Sequence, residues 1–173
     1  MQLILSEEVI RARLRALGGQ ISGDYRGKTP VVIGILKGAF IFVADLVRQL
    51  SVEVEVDFIR VASYGDATSS SGRCTISKPA EIPLAGRDVL LVEDIVDTGN
   101  TLDFLRETLA AAGAASVRTC VFIDKAERRC RQVAIDYAAF TVEGGFLVGY
   151  GLDRAERQRH LPAVYALAGE EAE

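Results

Sequence analysis

Short apolar runs recur along the chain, and two of them are followed by segments with helical spacing. Val31–Leu36 and residues 89–92 consist almost entirely of Val, Ile and Leu, the pattern of strands buried on both faces of a parallel sheet. The repeated order of strand, turn and helix predicts an α/β fold with a central parallel sheet. Behind each run, apolar residues return every three or four positions: Phe40, Val43, Val47 and Leu50, and then Leu102, Leu105, Leu109 and Ala112.

A capping pattern predicts a helix near the N-terminus. Ser6 precedes two acids, Glu7 and Glu8, and an acidic first turn after a serine is typical of a helix start. Apolar residues at helical spacing follow. The pair Gly18-Gly19 predicts the end of this helix.

Further strands and one long loop complete the predicted elements. Residues 52–58 alternate between apolar and acidic side chains, which indicates a strand with one wet face. Ser116–Asp124 is a further strand, and shorter strands are predicted at residues 133–140 and 146–150. Residues 63–73 are mostly small and polar, and such a stretch predicts a long mobile loop. Loops of this length are often lids, although composition alone slightly favours a passive hairpin tip.

The main candidate chemistry lies at the end of the second buried strand. Residues 93–101 read Glu-Asp-Ile-Val-Asp-Thr-Gly-Asn-Thr, so the strand is expected to stop at two adjacent carboxylates and lead through a small-residue loop into a helix. The unpaired N–H groups and the positive dipole end of a helix start suit a phosphate. Three acids would repel a bare anion, but they fit a ligand that also carries hydroxyls, a divalent cation or a proton to be removed. A phosphorylated sugar meets all three conditions.

A purely structural interpretation of these residues is also open. In it, Glu93 and Asp94 form a solvated strand end, and Asp97 or Thr98 caps the following helix. Lys37 would then be a solvated turn residue, although it lies at the carboxyl end of its strand, where ligands bind in open α/β sheets. The combination of acids, glycine and hydroxyls in one stretch favours the ligand-binding interpretation.

Composition and charge limit the classes of protein that fit. The chain has 173 residues, a net charge of −4 and a sequence pI near 5.2, which suits one domain and argues against a nucleic-acid surface, since such surfaces are normally basic. The arginines near 128–131 and 154–159 are expected to lie mostly on solvated faces. No apolar run approaches the roughly 20 residues of a membrane-spanning helix, and the N-terminus lacks a signal-peptide pattern. A cytoplasmic protein without a membrane partner is therefore expected.

The cysteines and the histidine predict no site of their own. Cys74, Cys120 and Cys130 are an odd number without C-x-x-C spacing, so neither a disulfide framework nor a zinc site is indicated. The single histidine, His160, has no nucleophile-elbow sequence to serve it. It is expected at the surface.

The stretch 93–101 closely resembles the phosphoribosyl-pyrophosphate motif of the type I phosphoribosyltransferases, specifically of their hypoxanthine-guanine branch. Leu36-Lys37-Gly38, Ser63-Tyr64-Gly65, Asp124-Lys125 and residues 146–159 resemble further family motifs in the family's order. The resemblance implies the type I phosphoribosyltransferase fold, a Rossmann-like central parallel sheet flanked by helices with a small hood and a flexible loop. It also implies a single domain over residues 1–173. The core would cover about 25–140, and the N-terminal segment and about 141–173 would form the hood.

The resemblance assigns roles at the phosphoribosyl site. Glu93 and Asp94 would hold the ribose hydroxyls, directly or through the metal, and residues 97–101 would cradle the 5′-phosphate. Asp97 is the expected catalytic residue, a general base that takes or shares the proton on N7 of the purine. The phosphoribosyl-binding residues are thus expected to be Glu93, Asp94, Ile95, Val96, Asp97, Thr98, Gly99, Asn100 and Thr101.

Pyrophosphate is expected to bind on the other side of the reacting centre. The resemblance implies Lys37, Gly38 and Arg159 as its ligands, with a non-proline cis peptide before Lys37. Ser63 and Tyr64 would begin the flexible loop that closes over the site and excludes water.

The purine and the metal complete the implied site. Lys125 would donate to the exocyclic oxygen of a 6-oxopurine, Phe146 would stack on the base, and backbone groups near Leu147 would read its edge. The implied cofactor is Mg²⁺, held by Glu93, Asp94 and Asp153. The purine-binding set is therefore expected to comprise Lys125, Phe146, Leu147 and Asp153.

The implied activity is transfer of the phosphoribosyl group of 5-phosphoribosyl 1-diphosphate to hypoxanthine or guanine in purine salvage, by a homodimer or homotetramer. Asp97 favours 6-oxopurines, because adenine-using relatives typically carry Ala there. Three alternatives stay open: a preference for xanthine, an RNA-binding pyrimidine-operon attenuator of the same fold, and a sugar-phosphate-binding protein without catalysis. The chain departs from the family pattern at Asn100, Gly144-Gly145 and Arg154, which leaves the preferred purine less certain than the chemistry.

Overall fold

The protein folds into two sheets with three helices among the residues that the structure describes. The computed structural model describes residues 1–64, 73–125, 129 and 132–167. None of the helices in that part combines the length and the apolar character that crossing a bilayer requires. The helices are α1 (Glu7–Asp24), α2 (Phe40–Val47) and α3 (Asn100–Ala111). The strands are β1 (Gln2–Leu5), β2 (Val31–Leu36), β3 (Glu55–Tyr64), β4 (Arg73–Lys78), β5 (Asp88–Val96), β6 (Ser116–Asp124), β7 (Tyr137–Thr141), β8 (Phe146–Val148) and β9 (Val164–Leu167).

The larger sheet has the strand order β4-β3-β2-β5-β6-β7. The strands from β3 to β7 in this order run parallel, and β4 pairs antiparallel with β3 at one edge. The register places Val31 of β2 between Glu55 of β3 and Val89 of β5. This mostly parallel sheet confirms the predicted α/β class.

Helices cover both faces of the larger sheet, as a buried parallel sheet requires. Leu90 and Val92 of β5 pack with α1 and α2 in one cluster, whereas Val89 and Leu91 pack with α3 in the other. All four side chains are fully buried, because successive residues of a strand point to opposite faces. The run of four apolar residues therefore forms a central strand, as the sequence predicts.

A second, antiparallel sheet brings the two ends of the chain together. Its strand order is β1-β9-β8, with Leu3 of β1 opposite Tyr165 of β9 and Val148 of β8 opposite the same tyrosine. We call these three strands the hood sheet. No sequence pattern predicts β1 and β9, because strands of four residues are too short to show a clear period.

The first helix is longer than its glycines predict. Ser6 caps its start as expected and accepts a hydrogen bond from the N–H of Val9, but the helix continues through Gly18 and Gly19 to Asp24. Gly18 is buried, and a β-carbon there would lie 2.5 Å from Cβ of Gln49. The glycine lets α1 approach the segment after α2, so the prediction that it ends the helix is wrong.

Several strand limits differ from those predicted. β5 runs to Val96, so Glu93 and Asp94 lie inside the strand and not beyond its end. β3 begins at Glu55, and β7 covers Tyr137–Thr141. β4 is an edge strand that the sequence analysis does not predict. Pairing with neighbouring strands decides these limits, since the hydrogen-bonded ladder continues where the apolar pattern stops.

Candidate active site

The candidate site lies where β2 and β5 end. These neighbouring strands are parallel, so their carboxyl ends lie at one edge of the sheet. The chain leaves β2 for α2 on one face and leaves β5 for α3 on the other. Such a change of face opens a crevice between two neighbouring strands, and this crevice is the usual ligand site of open α/β sheets.

Residues 97–101, which we call the phosphate loop, comprise the connection from β5 to α3 and the first two residues of that helix. Gly99 precedes α3 with a φ of +87°, a left-handed conformation that glycine adopts without steric cost. The N–H of Asn100 donates to Oγ1 of Thr98 at 3.4 Å. The first amides of α3 and the positive end of its dipole are therefore directed at the mouth of this loop.

A cavity of about 240 Å³ joins the phosphate loop to the end of β5. Glu93 faces it together with most of the predicted phosphoribosyl-binding residues. Asn100 and Asp94 do not line this cavity. The residues that do are Ile35, Val61, Glu93, Ile95, Val96, Asp97, Thr98, Gly99, Thr101 and Leu102.

The two acids of β5 form a buried pair of carboxyl groups. Glu93 is only 7% exposed. Burial raises the pKa of Glu93 well above its usual value, and the charge of Asp94 raises it further. Burial also raises the pKa of Asp94, partly offset by its hydrogen bond to Glu93. Burial of two neighbouring carboxyl groups disfavours their ionised forms, and a cation or hydroxyl donors bound between them would offset this cost.

Asp94 points towards the Lys37-Gly38 turn. A β-carbon on Gly38 would overlap Oδ2 of Asp94, and one on Gly151 would overlap the carbonyl oxygen of Gly38. The peptide between Leu36 and Lys37 is cis, as the resemblance implies. The absence of side chains at Gly38 and Gly151 therefore lets the β2 turn, β5 and the segment after β8 meet at one point.

Lys37 and Arg159, near this turn, each form an ion pair with an acidic residue. Nζ of Lys37 lies 3.0 Å from Glu156, and a terminal nitrogen of Arg159 lies 2.8 Å from Oδ1 of Asp153. Arg159 also donates to the carbonyl of Gly151 at 2.7 Å, and its charge lowers the pKa of Asp94 against the effect of burial. The three predicted pyrophosphate-binding residues thus lie around Asp94.

The three predicted metal ligands do not form a cluster in this structure. Among residues 1–64, 73–125, 129 and 132–167, no three His, Cys, Asp or Glu side chains lie close enough to hold a metal ion between them. Asp153 pairs with Arg159 instead. The assignment of Glu93, Asp94 and Asp153 to Mg²⁺ stays a prediction.

Lys125, Phe146 and Leu147 of the predicted purine-binding set lie at the edge of the hood sheet, whereas Asp153 pairs with Arg159. Nζ of Lys125 donates to the carbonyl of Gly145 at 3.0 Å, and its backbone N–H donates to the carbonyl of Val96. Phe146 is 40% exposed, whereas Leu147 is buried in the core. Lys125 and the Phe146 ring are therefore open to a ligand, and Leu147 can contribute only backbone groups.

Ser63 and Tyr64 end β3, where they pair with Cys74 and Arg73 of β4. The rest of the predicted flexible loop, residues 65–72, lies outside the described residues. The closing movement expected of this loop stays a prediction.

Arg129 ends the Asp-Lys-x-x-x-Arg pattern that begins at Asp124, but the sequence gives it no role in the site. Its Nε donates to the carbonyl of Asp97 at 3.3 Å, and its guanidinium pairs with Asp124 at the end of β6. Its side chain is only 18% exposed, so Arg129 is not among the arginines that lie on a solvated face. The available signal is its place five residues after Asp124, which lets the side chain fold back onto the strand end.

Comparison with known proteins gives consistent matches over nearly the whole chain. Residues 4–155 match the Phosphoribosyl transferase domain. The hypoxanthine-guanine phosphoribosyltransferase of Streptococcus pneumoniae R6 is 41% identical over 169 residues, which cover 98% of this chain and 94% of that protein. A crystal structure of a hypoxanthine phosphoribosyltransferase from Staphylococcus aureus has a TM-score of 0.94 and 36% identity, and the match covers 98% of this chain and 92% of that one.

A longer relative contains the same unit as part of a larger protein. The bifunctional protein TilS/HprT of Listeria innocua is 40% identical over 169 residues, which cover 98% of this chain. The chain spans about a quarter of that relative's length, 26%. Nothing in the match concerns the remainder of the Listeria protein.

Proposed function

The chain belongs to the phosphoribosyl transferase family, and we propose that it transfers the 5-phosphoribosyl group of 5-phosphoribosyl 1-diphosphate to a 6-oxopurine in purine salvage. The products are IMP from hypoxanthine or GMP from guanine, together with pyrophosphate. The 41% identity to a hypoxanthine-guanine phosphoribosyltransferase over nearly the full length of both chains supports this choice of substrate.

One structural observation carries the proposal. Glu93 and the phosphate loop line a single cavity at the point where the chain changes faces of the sheet. A ligand that fills this cavity meets carboxylate oxygens at one end and backbone N–H groups at the other. A ribose 5-phosphate has hydroxyls for the first and a phosphate for the second.

Asp97 is the residue proposed to handle the proton of the purine. It lines the same cavity as Glu93, so it lies beside the sugar whose C1 carbon is attacked. As the purine nitrogen forms its bond to C1 and the bond to pyrophosphate breaks, the proton on N7 passes to Asp97. A positioned base of this kind accelerates a reaction about 10²- to 10⁴-fold.

The charges around the cavity suit the two ends of the breaking bond. Positive charge that develops on the ribose is stabilised by the carboxyl groups of Glu93 and Asp94. Negative charge that develops on the diphosphate is stabilised by Lys37 and Arg159, which lie on the Asp94 side of the site. Fixed charges directed at both developing charges favour the transition state over the bound substrate.

Mg²⁺ is the cofactor that this donor set fits, with Glu93 and Asp94 as the residues that would hold it. Mg²⁺ normally keeps several waters and takes one or two carboxylates plus substrate phosphate oxygens, so it needs no cluster of three protein ligands. Two neighbouring carboxyl groups with raised pKa values are a suitable donor pair. When bound, Mg²⁺ neutralises charge on the diphosphate.

Base selection is assigned to Lys125 and Phe146. The Lys125 ammonium donates to a carbonyl of the hood segment and can donate to the 6-oxo group of a purine, which adenine lacks. Phe146, 40% exposed, offers a face on which the base stacks. These contacts favour hypoxanthine, guanine and xanthine over adenine.

We also propose that the enzyme works in the cytoplasm as a homodimer or homotetramer, without nucleic-acid or membrane partners. Four large apolar side chains, Leu3, Val9, Phe40 and Val56, are 41–53% exposed, and contact between copies would cover such side chains. Light scattering of the purified protein measures the oligomeric state directly.

The decisive experiment is an activity screen with guanine, hypoxanthine, xanthine and adenine in the presence of phosphoribosyl diphosphate and Mg²⁺. We expect nucleotide and pyrophosphate from the 6-oxopurines and little from adenine. Asp97→Asn keeps the size of the side chain and is expected to lower kcat by about 10²- to 10⁴-fold. No turnover of any base, together with a mobility shift of RNA, would instead support an attenuator of the same fold.

A further inference from the structure

Glu156 bridges the two cations on the pyrophosphate side of the site. Its Oε1 lies 3.0 Å from Nζ of Lys37, and its Oε2 lies 3.2 Å from a terminal nitrogen of Arg159. Lys37 and Glu156 are 119 residues apart in sequence, and no sequence motif singled out this acid. The two cations that are placed to receive a diphosphate are therefore already paired with one carboxylate.

The backbone around Glu156 is held in an uncommon conformation. Ala155, Glu156 and Gln158 have φ values of +49°, +64° and +72°, in the left-handed region that residues with a β-carbon seldom adopt. The N–H of Glu156 donates to Oδ2 of Asp153 at 2.8 Å, and Asp153 also pairs with Arg159. Residues held in this way are concentrated at ligand sites, where the surrounding contacts maintain them.

The bridge is exposed and therefore easily opened. The Lys37 side chain is 47% exposed and that of Glu156 is 63% exposed, and ion pairs at this level of exposure contribute little free energy. Hydrogen bonds from Lys37 and then Arg159 hold the pKa of Glu156 below its usual value. A ligand with more negative charge than one carboxylate can therefore replace Glu156 at these two cations.

Arg159 keeps one donor that the bridge does not use. Its Nε is buried and has no hydrogen-bond partner within the described part of the chain. A buried N–H without a partner is unfavourable, and an oxygen-rich ligand would satisfy it. The contacts of Arg159 with Glu156, Asp153 and Gly151 therefore leave one of its donors unsatisfied.

We propose that Glu156 is an internal competitor for the pyrophosphate subsite. In the free protein its carboxylate occupies donors of Lys37 and Arg159, and the diphosphate group of the substrate, or product pyrophosphate, displaces it towards solvent. This proposal rests on the proposed function. Glu156 therefore raises the KM for phosphoribosyl diphosphate, weakens pyrophosphate binding and leaves the purine side of the site unaffected.

The test replaces Glu156 by glutamine, which keeps the length of the side chain and removes its charge. In Glu156→Gln we expect the KM for phosphoribosyl diphosphate to fall roughly 3- to 10-fold, the range that two exposed ion pairs support, with the KM for guanine unchanged. Added salt should reduce the difference in this KM between the wild type and Glu156→Gln, since exposed charges are screened. Glu143→Gln is the matched control: it removes one negative charge from an exposed residue of the hood segment and should leave both KM values at the wild-type level.

Equilibrium dialysis with labelled pyrophosphate and Mg²⁺ tests the same proposal without catalysis. Tighter pyrophosphate binding by Glu156→Gln than by wild type and Glu143→Gln would support it, even if no purine base is turned over and the proposed function fails. Unchanged or weaker pyrophosphate binding would overturn it, also in an active enzyme. A lower Tm of Glu156→Gln with wild-type KM values would show a purely structural role and would equally overturn it.

Discussion

The carboxylate of Asp94 lies against Gly38, so closely that a β-carbon on the glycine would overlap Oδ2 of the aspartate. This contact joins the turn after β2 to β5 at the carboxyl edge of the sheet. It also fixes the direction of Asp94 relative to Glu93, its neighbour in the strand. A side chain at position 38 would therefore change the active site before it changed the fold.

We expect Gly38→Ala to lower kcat/KM by about 100-fold or more, since small displacements of a positioned group have effects of this size. The Tm should change by less than about 4 °C, because the carboxylate of Asp94 can rotate away from the added methyl group. Steady-state kinetics with phosphoribosyl diphosphate and guanine measure the first effect, and thermal denaturation measures the second. Gly23→Ala is the control, because nothing lies within 4 Å of a β-carbon there. Full activity of Gly38→Ala would contradict the close contact between Gly38 and Asp94.

Two adjacent glycines of α1 should respond to alanine with opposite signs. Gly19→Ala adds a β-carbon with nothing within 4 Å to a helix interior, which stabilises the protein by about 0.5–1 kcal/mol. Gly18→Ala places its β-carbon 2.5 Å from Cβ and 2.8 Å from the carbonyl oxygen of Gln49 and should destabilise it by about 1–3 kcal/mol. Urea denaturation of both variants gives the two values. Equal effects would contradict the close approach of Gly18 to Gln49.

Replacement of Glu93 should separate stability from activity. Burial and the neighbouring Asp94 raise the pKa of Glu93 above its usual 4.5, so its ionised form destabilises the folded state. Glu93→Gln should raise the Tm at pH 8 by about 2–5 °C and lower kcat/KM.

The stability difference of Glu93→Gln should depend on pH. In the wild type, Glu93 of the folded protein takes up a proton as the pH falls through its raised pKa. The stability gained from this protonation is complete near pH 4.5, the usual pKa of the group, and is lost as the pH rises through the raised pKa. The advantage of Glu93→Gln should therefore shrink as the pH is lowered from 8 to 5. Glu53→Gln, at an exposed position, serves as the control in thermal denaturation over this range. An advantage that grows at low pH would disprove the raised pKa.

Arg129 should act through the position of Asp97. Its Nε bonds the Asp97 carbonyl and its guanidinium pairs with Asp124. Arg129→Met removes both contacts and should lower kcat roughly 10- to 100-fold with a smaller change in the KM for phosphoribosyl diphosphate. Arg129→Lys keeps the charge but not the forked geometry and should restore only part of the activity.

A second substitution distinguishes positioning from stability. Arg129→Met leaves Asp124, 24% exposed, without its cation, and should therefore lower the Tm. Adding Asp124→Asn removes the unpaired charge and should recover most of the Tm while kcat stays low. If kcat recovers together with the Tm, Arg129 has only a structural role.

The local sequence pattern was sufficient to predict the elements that form the candidate active site. The apolar run of β5, the acids that follow it and the helical spacing of α3 are all properties of neighbouring residues, so the sequence alone predicts them. The resemblance supplied Lys37, Gly38, Lys125 and Arg159, whose side chains or backbone the structure brings to one end of the sheet.

The sequence by itself thus determined the α/β class, the strand-turn-helix order around β2 and β5, and the acidic motif, because these depend on side chains a few residues apart. Only the tertiary structure decided that α1 passes through Gly18, that β1 pairs with β9, and that Glu156 reaches Lys37. Each of these depends on a contact between segments that are distant in sequence. Local spacing carries no information about such a partner, since the partner exists only once the chain has folded.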